Sequence, residues 1–148
     1  APLEELKRVD FAAFRPLVDL PLGMTAHIVY EALGDDLPAT LSPDMIRLIR
    51  EEIGFKGALM TDDVSMGALP GPIGARAAGA RAAGCDLILH CNGDRAEMDS
   101  VVAQSGVLQG ASLSRADAAL AARKHPDPLD IEAVEADLAD LLDGEVYG

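Results

Sequence analysis

The residues of this sequence best suited to chemistry are two acids at the end of an apolar run. They are Asp62 and Asp63, in the stretch Gly54-Phe55-Lys56-Gly57-Ala58-Leu59-Met60-Thr61-Asp62-Asp63-Val64-Ser65-Met66. Ala58 to Met60 reads as a buried strand, which puts both carboxylates where that strand emerges. In parallel α/β architectures this end carries the chemistry. A carboxylate there is held by the sheet and still reaches a ligand, whether as a nucleophile or as a ligand to Mg²⁺. Successive strand residues point to opposite faces, so the two acids are not expected in one site together. Asp63 is the one expected to orient the loop or cap the segment that follows. On pattern alone, an Asp-Asp at a strand end serves equally well as a structural pair.

Other polar candidates lie in similar places. His27 sits within the apolar stretch Met24–Tyr30, and a lone His there is more often a satisfied core residue than a ligand. Asn92 precedes Gly93 at the end of a further apolar run, where it can make a turn or donate to a ligand hydroxyl. Met66 suits a pocket wall or the core equally. His90 alternates along a buried strand and reads as structural, while His125 lies in a Pro-containing linker and reads as exposed.

An alternation of helix and strand must position these residues. Leu3 to Val18 has the spacing of an amphipathic helix, with Leu6, Val9, Phe11, Phe14 and Leu17 near helical period. Met24 to Tyr30 reads as a strand. Ser42-Pro43 opens a second helix, with Ser42 as cap and Pro43 in the first turn, and Gly54 ends it. Gly74 to Gly84, with its repeated Gly-Ala-Arg-Ala-Ala, reads as a helix of small residues lying close against a sheet. Asp86 to Cys91 reads as a third strand. Further helices are expected over Ala96–Gln104, Ser114–Lys124 and Ile131–Leu142, with a linker from Lys124 to Asp130. Three strands separated by helices imply parallel βαβ units with right-handed crossovers. They make either a small open sheet or a sector of something larger.

The totals bound the answer. At 148 residues, 49% hydrophobic and 25% charged, the chain has a globular balance. With 3% aromatics and no Trp, the core must be built from Ala, Leu, Val, Ile and Met. A net charge of −13 argues against nucleic acid and anionic membranes as partners. The acid-rich end from Asp127 reads as a solvated helix face. Cys85 and Cys91, six positions apart in one strand-and-loop segment, are poorly placed to pair and match no zinc pattern, so reduced thiols are expected. No signal peptide or spanning run is visible, which fits a cytoplasmic location.

The motif strand resembles the nucleophile segment of family 3 glycoside hydrolases, in the β-N-acetylhexosaminidase branch that trims cell-wall muropeptides. That branch carries Gly-Phe-x-Gly, a short apolar strand and then Ser/Thr-Asp-Asp-Leu/Val-Ser-Met. Met24-Thr25-Ala26-His27-Ile28-Val29-Tyr30, Leu37-Pro38-Ala39-Thr40-Leu41-Ser42 and Cys85-Asp86 through His90-Cys91-Asn92-Gly93 are similar to flanking parts of the same family. The resemblance implies an α/β fold: a partial (β/α)8 TIM barrel of about three parallel strands with covering helices. It implies residues 1–125 as the C-terminal part of the catalytic barrel and 126–148 as an acidic helix packing on it. It implies Asp62 as catalytic nucleophile and His27, Met66 and Asn92 as substrate-binding residues. The implied substrate is a GlcNAc-terminated muropeptide or a chitooligosaccharide-like glycan. Neither metal nor cofactor is implied.

One departure from the family pattern is as informative as the matches. The family's Lys-His-Phe-Pro-Gly-His-Gly stretch, its loop with an Asp-x-His acid/base pair and its upstream sugar-holding Asp and Arg do not occur here. The resemblance places the start of this chain just after that loop. An intact enzyme would form a glycosyl-enzyme intermediate on Asp62, and this chain alone is expected to be inactive or nearly so. The alternative is a non-catalytic fragment, or half of a split barrel whose open sheet edges invite association with a partner or a second copy. A Mg²⁺-binding receiver-like domain fits poorly, because neither flanking strand offers a Lys. Gly67–Gly74 lacks phosphate-loop spacing, and Ser42 and Ser65 lack nucleophile-elbow flanks.

Overall fold

The Ser42-Pro43 start and the Gly54 stop act as the sequence suggests, and they bracket the helix that feeds the central strand. The computed structural model describes residues 1–34 and 36–142. Helix α2 (Pro43–Arg47) is capped by Ser42, whose Oγ accepts from the Met45 amide at 3.1 Å. It continues as a wider π-helical turn over Leu48–Ile53 and ends at Gly54, whose φ of 91° is left-handed. Strand β2 (Ala58–Asp63) follows and lies between β1 (Leu22–Met24) and β3 (Leu87–Leu89), all parallel. Asp62 and Asp63 are its last two residues. Helix α3 (Ile73–Ala83) returns the chain from β2 to β3, and Gly84 ends it in the left-handed region.

Small residues let these layers approach. Ala80 and Ala83 of α3 pack with Ile46, Phe55, Leu59 and Cys85 between helices and sheet. Ala77 joins Val64, Leu69 and Val101 in a second cluster, toward helix α4 (Arg95–Ser105). A Cβ on Gly74 would sit 2.6 Å from Ser100 Oγ and 3.2 Å from Gln104 Cγ, so α3 and α4 meet closely here and a side chain would make Ser100 rotate away. The Gly-Phe-x-Gly motif has a similar explanation. A Cβ on Gly57 would meet the Leu20 and Pro21 carbonyls at 2.5 and 2.7 Å, while the Phe55 ring lies against Gly23.

The start of β3 is fixed by an acid at the opposite end of the sheet from Asp62. The side chain of Asp86 is 1% exposed and accepts from Arg50 (2.6 Å), the Leu59 amide (2.9 Å), Ser112 (2.6 Å) and Arg115 (2.9 Å). Ser112 and Arg115 belong to helix α5 (Gly110–Ala121), so this carboxylate ties α5 and the α2 segment to the sheet. Burial pushes its pKa up, but the Leu59 amide, Ser112 hydroxyl and two guanidiniums outweigh burial and hold it below the ordinary Asp range.

Several elements differ from expectation; α5, for one, starts at Gly110 rather than Ser114 and ends at Ala121 rather than Lys124. The expected first helix divides into α1 (Leu3–Arg8) and a 3₁₀ turn over Phe11–Leu17 that contains Pro16, a residue without an amide to continue an α-helix. The strand expected over Met24–Tyr30 occurs earlier, because the partners in β2 are Ala58–Met60. Beyond Met24 one more bond, Thr25 N–H to the Met60 carbonyl, joins the sheet before the chain turns toward Thr40. The third strand is likewise shorter than Asp86–Cys91. Helix α6 (Ile131–Leu141) forms as expected, with no buried residue. Residues 143–148 of the acidic end lie outside the described residues. Both cysteines are free thiols, Cys85 buried and Cys91 exposed, and burial pushes the Cys85 pKa up to about 12.

Candidate active site

The two carboxylates that end β2 meet different partners, in keeping with strand alternation. Asp63 serves the loop: its carboxylate accepts from the Ser65 amide (2.9 Å), the Ser65 hydroxyl (2.5 Å) and the Cys91 amide of the β3 end (3.1 Å). Desolvation raises its pKa, but the Ser65 hydroxyl, the Ser65 and Cys91 amides and nearby His90 pull it net downward. Asp62 is half-buried, and one of its oxygens accepts from the Asp63 amide at 2.8 Å. No arginine or lysine pairs with Asp62 among the described residues. Its carboxylate is thus aimed by backbone rather than neutralised by a cation, which suits a group that must act on a ligand.

Three elements hold the loop after Asp62. Arg76 of α3 donates to the carbonyls of Val64 (2.8 Å), Met66 (3.0 Å) and Gly71 (2.9 Å). Thr61, fully buried, accepts from the Leu89 amide at 2.9 Å and knits β2 to β3. His27 reaches across from the segment after β1, with Nε2 2.9 Å from the Asp63 carbonyl and Nδ1 2.8 Å from Thr40 Oγ1.

The structure brings His27 directly to the Asp62–Asp63 backbone. Met66 is exposed on the loop that Arg76 pins. Asn92 makes the turn that its neighbour Gly93 suggested. Its Oδ1 accepts from the Asp94 amide at 2.9 Å, and its Nδ2 donates to Glu97. Glu97 also meets His90 Nε2 at 3.1 Å; the His90 side chain is only 6% exposed, and its Nδ1 has no hydrogen-bond partner among the described residues.

Arg76, Thr40 and Glu97 were not singled out in the sequence. Arg76 carried no signal beyond a cation in a small-residue helix, since its three acceptors are backbone carbonyls of any residue type. No group of three or more His, Cys, Asp or Glu among the described residues is arranged to hold a metal. No helix among them is long and apolar enough to cross a membrane.

This arrangement can be compared with known proteins. The model of the glycosyl hydrolase family 3 N-terminal domain matches residues 1–122. The chain is 45% identical over 92 residues to a β-hexosaminidase of Alkalilimnicola ehrlichii, covering 59% of this chain and 26% of that one. It is 38% identical over 125 residues to a β-hexosaminidase of Tolumonas auensis, covering 79% of this chain and 35% of the other. A solved family 3 β-N-acetylglucosaminidase from Paenibacillus superposes with a TM-score of 0.66 at 30% identity, covering 88% of this chain and 28% of that one. The chain therefore spans about a quarter to a third of the length of these relatives. Its three parallel strands with covering helices are a sector of their larger α/β domain. The match across most of its length, together with an acid pair ending its central strand, makes this chain a member of glycosyl hydrolase family 3.

Proposed function

We propose that this chain supplies the nucleophile-bearing sector of a retaining β-N-acetylhexosaminidase, with Asp62 attacking the anomeric carbon of a terminal GlcNAc. The observation that carries this reading is the unpaired-by-cation carboxylate of Asp62, aimed by the Asp63 amide at the C-terminal end of β2. Retaining glycosidases need such an ionised carboxylate about 5 Å from a proton donor. The nucleophile adds to the anomeric carbon as the protonated leaving oxygen departs. Water then releases the sugar, with its proton returning to the same acid/base group.

Met66, exposed on the pinned loop that follows Asp62, serves as a pocket wall, and Asn92 follows the neighbouring strand. The acid/base loop is not in this sequence, so the isolated chain is inactive or nearly so. Loss of general acid catalysis alone costs about 10²–10⁴-fold. The substrate we favour is a GlcNAc-terminated muropeptide handled in the cytoplasm. The acid-rich helix α6 packs on the rest of the barrel through Ile131, Val134 and Leu138, which are exposed here.

A second reading has an observation of its own. The free edge of β1 adjoins an apolar groove of about 280 Å³, lined by Phe14, Leu17, Leu20, Leu22 and Met24 among others. All five are exposed. An open edge beside such a groove favours a half-barrel that associates with a complementary (β/α) portion.

Incubation with a 2-fluoro glycosyl inactivator, followed by peptide mass spectrometry, tests the first reading. A stoichiometric adduct on Asp62, absent in Asp62→Asn, supports a competent nucleophile. An adduct on another residue sinks the assignment. Detectable turnover of an aryl GlcNAc substrate by the isolated chain, abolished in Asp62→Ala, would overturn the claim of inactivity.

A further inference from the structure

We propose that His27 is a positioning residue for Asp62, acting through the Asp63 backbone and not through the sugar; this rests on reading Asp62 as the nucleophile. The direction of each hydrogen bond follows from the chemistry of its ends. The Asp63 carbonyl only accepts, so the Nε2 facing it at 2.9 Å carries the proton. In the Nε2–H tautomer Nδ1 presents a lone pair, which the Thr40 hydroxyl fills at 2.8 Å. Thr40 Oγ1 in turn accepts from Thr25 Oγ1 at 2.7 Å. The other acceptor within reach of Thr40, the Ala26 carbonyl, is farther away at 3.3 Å. Thr25 and Thr40 are buried, so bulk water does not compete for these bonds.

The result is a one-way chain, Thr25 to Thr40 to His27 to Asp63, that ends beside the candidate nucleophile. Asp63 is gripped at both ends of its backbone. Its carbonyl accepts from His27, and its amide donates to Asp62 Oδ1 at 2.8 Å. A shift of that residue turns the amide that aims the Asp62 carboxylate. Both ring nitrogens of His27 are occupied within the protein, so its polar atoms act on Asp62 rather than on a bound sugar.

The test compares His27→Gln and His27→Phe in the full chain. A Gln Nε2 can take the place of the imidazole Nε2 and donate to the same carbonyl. Phe keeps the ring shape and has no donor. Amide hydrogen exchange, read by NMR, is expected to be about five- to tenfold faster at Asp63 to Ser65 in His27→Phe, the loss of one net hydrogen bond. His27→Gln should stay near wild type, and the α3 amides serve as the internal reference. The opposite ranking, with Phe like wild type and Gln faster, means that His27 only fills space and overturns the proposal, as do two variants that both behave as wild type. If His27→Phe does not fold, Thr40→Val removes the partner of Nδ1 and should speed the same amides. ¹⁵N shifts give a second readout: an Nε2–H tautomer is expected, and an Nδ1–H tautomer overturns the chain of donors.

Inactivator labelling separates this from the functional reading. No adduct on Asp62 in the wild-type chain counts against a competent nucleophile here and leaves the exchange result to decide the role of His27. An adduct that forms more slowly in His27→Phe but not in His27→Gln joins the two.

Discussion

Asp86 and Asp62 are the same residue type at opposite ends of one three-stranded sheet, and they differ in the number and kind of their partners. Asp86 is sealed from solvent and meets two guanidiniums, a hydroxyl and an amide. Asp62 is half-buried and meets one backbone amide, that of its own neighbour. A carboxylate saturated by cations is stabilised where it is and has nothing left to offer a ligand. One aimed by backbone alone keeps its reach toward a ligand. Between these extremes stands Asp63, whose three donors from Ser65 and Cys91 give it to the loop. Number and kind of partner, more than burial alone, separate the three.

The comparison breaks most sharply at Asp86. Asp86→Ala leaves Arg50 and Arg115 partly buried without their anion, and removing one partner of such a cluster costs about 3–5 kcal/mol. Urea denaturation should register that loss, with Tm about 10 °C lower. A fall of less than 1 kcal/mol would mean that the clamp is ornamental. Gly57→Ala comes next. Its Cβ would press on two backbone carbonyls that cannot swing away, and the strain should cost about 1–3 kcal/mol.

Arg76→Gln tests the candidate active end. Three carbonyls lose a charged donor, for a cost of about 1–2 kcal/mol. The change should be concentrated in faster amide exchange over residues 64–71, with α5 unaffected.

Acid titration sharpens the contrast further. The folded pKa of Asp86 lies below its unfolded value, so its contribution is fully present above about pH 4. It is lost as pH falls below the unfolded value toward the lower folded one. Stability should therefore decline across that acid window, and Asp86→Asn should flatten most of the slope.

The smallest effect on stability is expected at Asp62. Asp62→Asn keeps an oxygen for the Asp63 amide and should change unfolding free energy by less than about 0.5 kcal/mol. It should also abolish labelling by a 2-fluoro glycosyl inactivator. A large loss of stability there would place Asp62 with Asp86, among the structural acids.

Much of this was legible before any coordinates. Ser42, Gly54 and Gly84 mark helix ends by local chemistry, and each does so in the structure. The period of two along a strand separated Asp62 from Asp63, and Gly93 beside Asn92 made a turn one of two readings there. These features depend on neighbours within a few residues. Strand lengths did not follow the same logic. The apolar run from Met24 to Tyr30 has strand composition throughout, but β1 leaves β2 after Met60 although β2 runs on to Asp63, because Thr25 and His27 are held by side-chain bonds to Thr40 and the Asp63 carbonyl. The first helix failed for a related reason. Its apolar spacing is helical, yet Pro16 and the burial of Phe11 against Met45 and Leu48 redirect the chain.

By itself the sequence determined the alternation of helix and strand, the helix ends, and an acid pair at the end of the central strand. Only the tertiary structure decided which partners each acid meets. Asp86 meets Arg50 across 36 positions and Arg115 across 29; His27 meets Asp63 across 36. Hydrogen bonds and ion pairs act over about 3 Å, so their partners exist only after the sheet and its helices bring distant segments together.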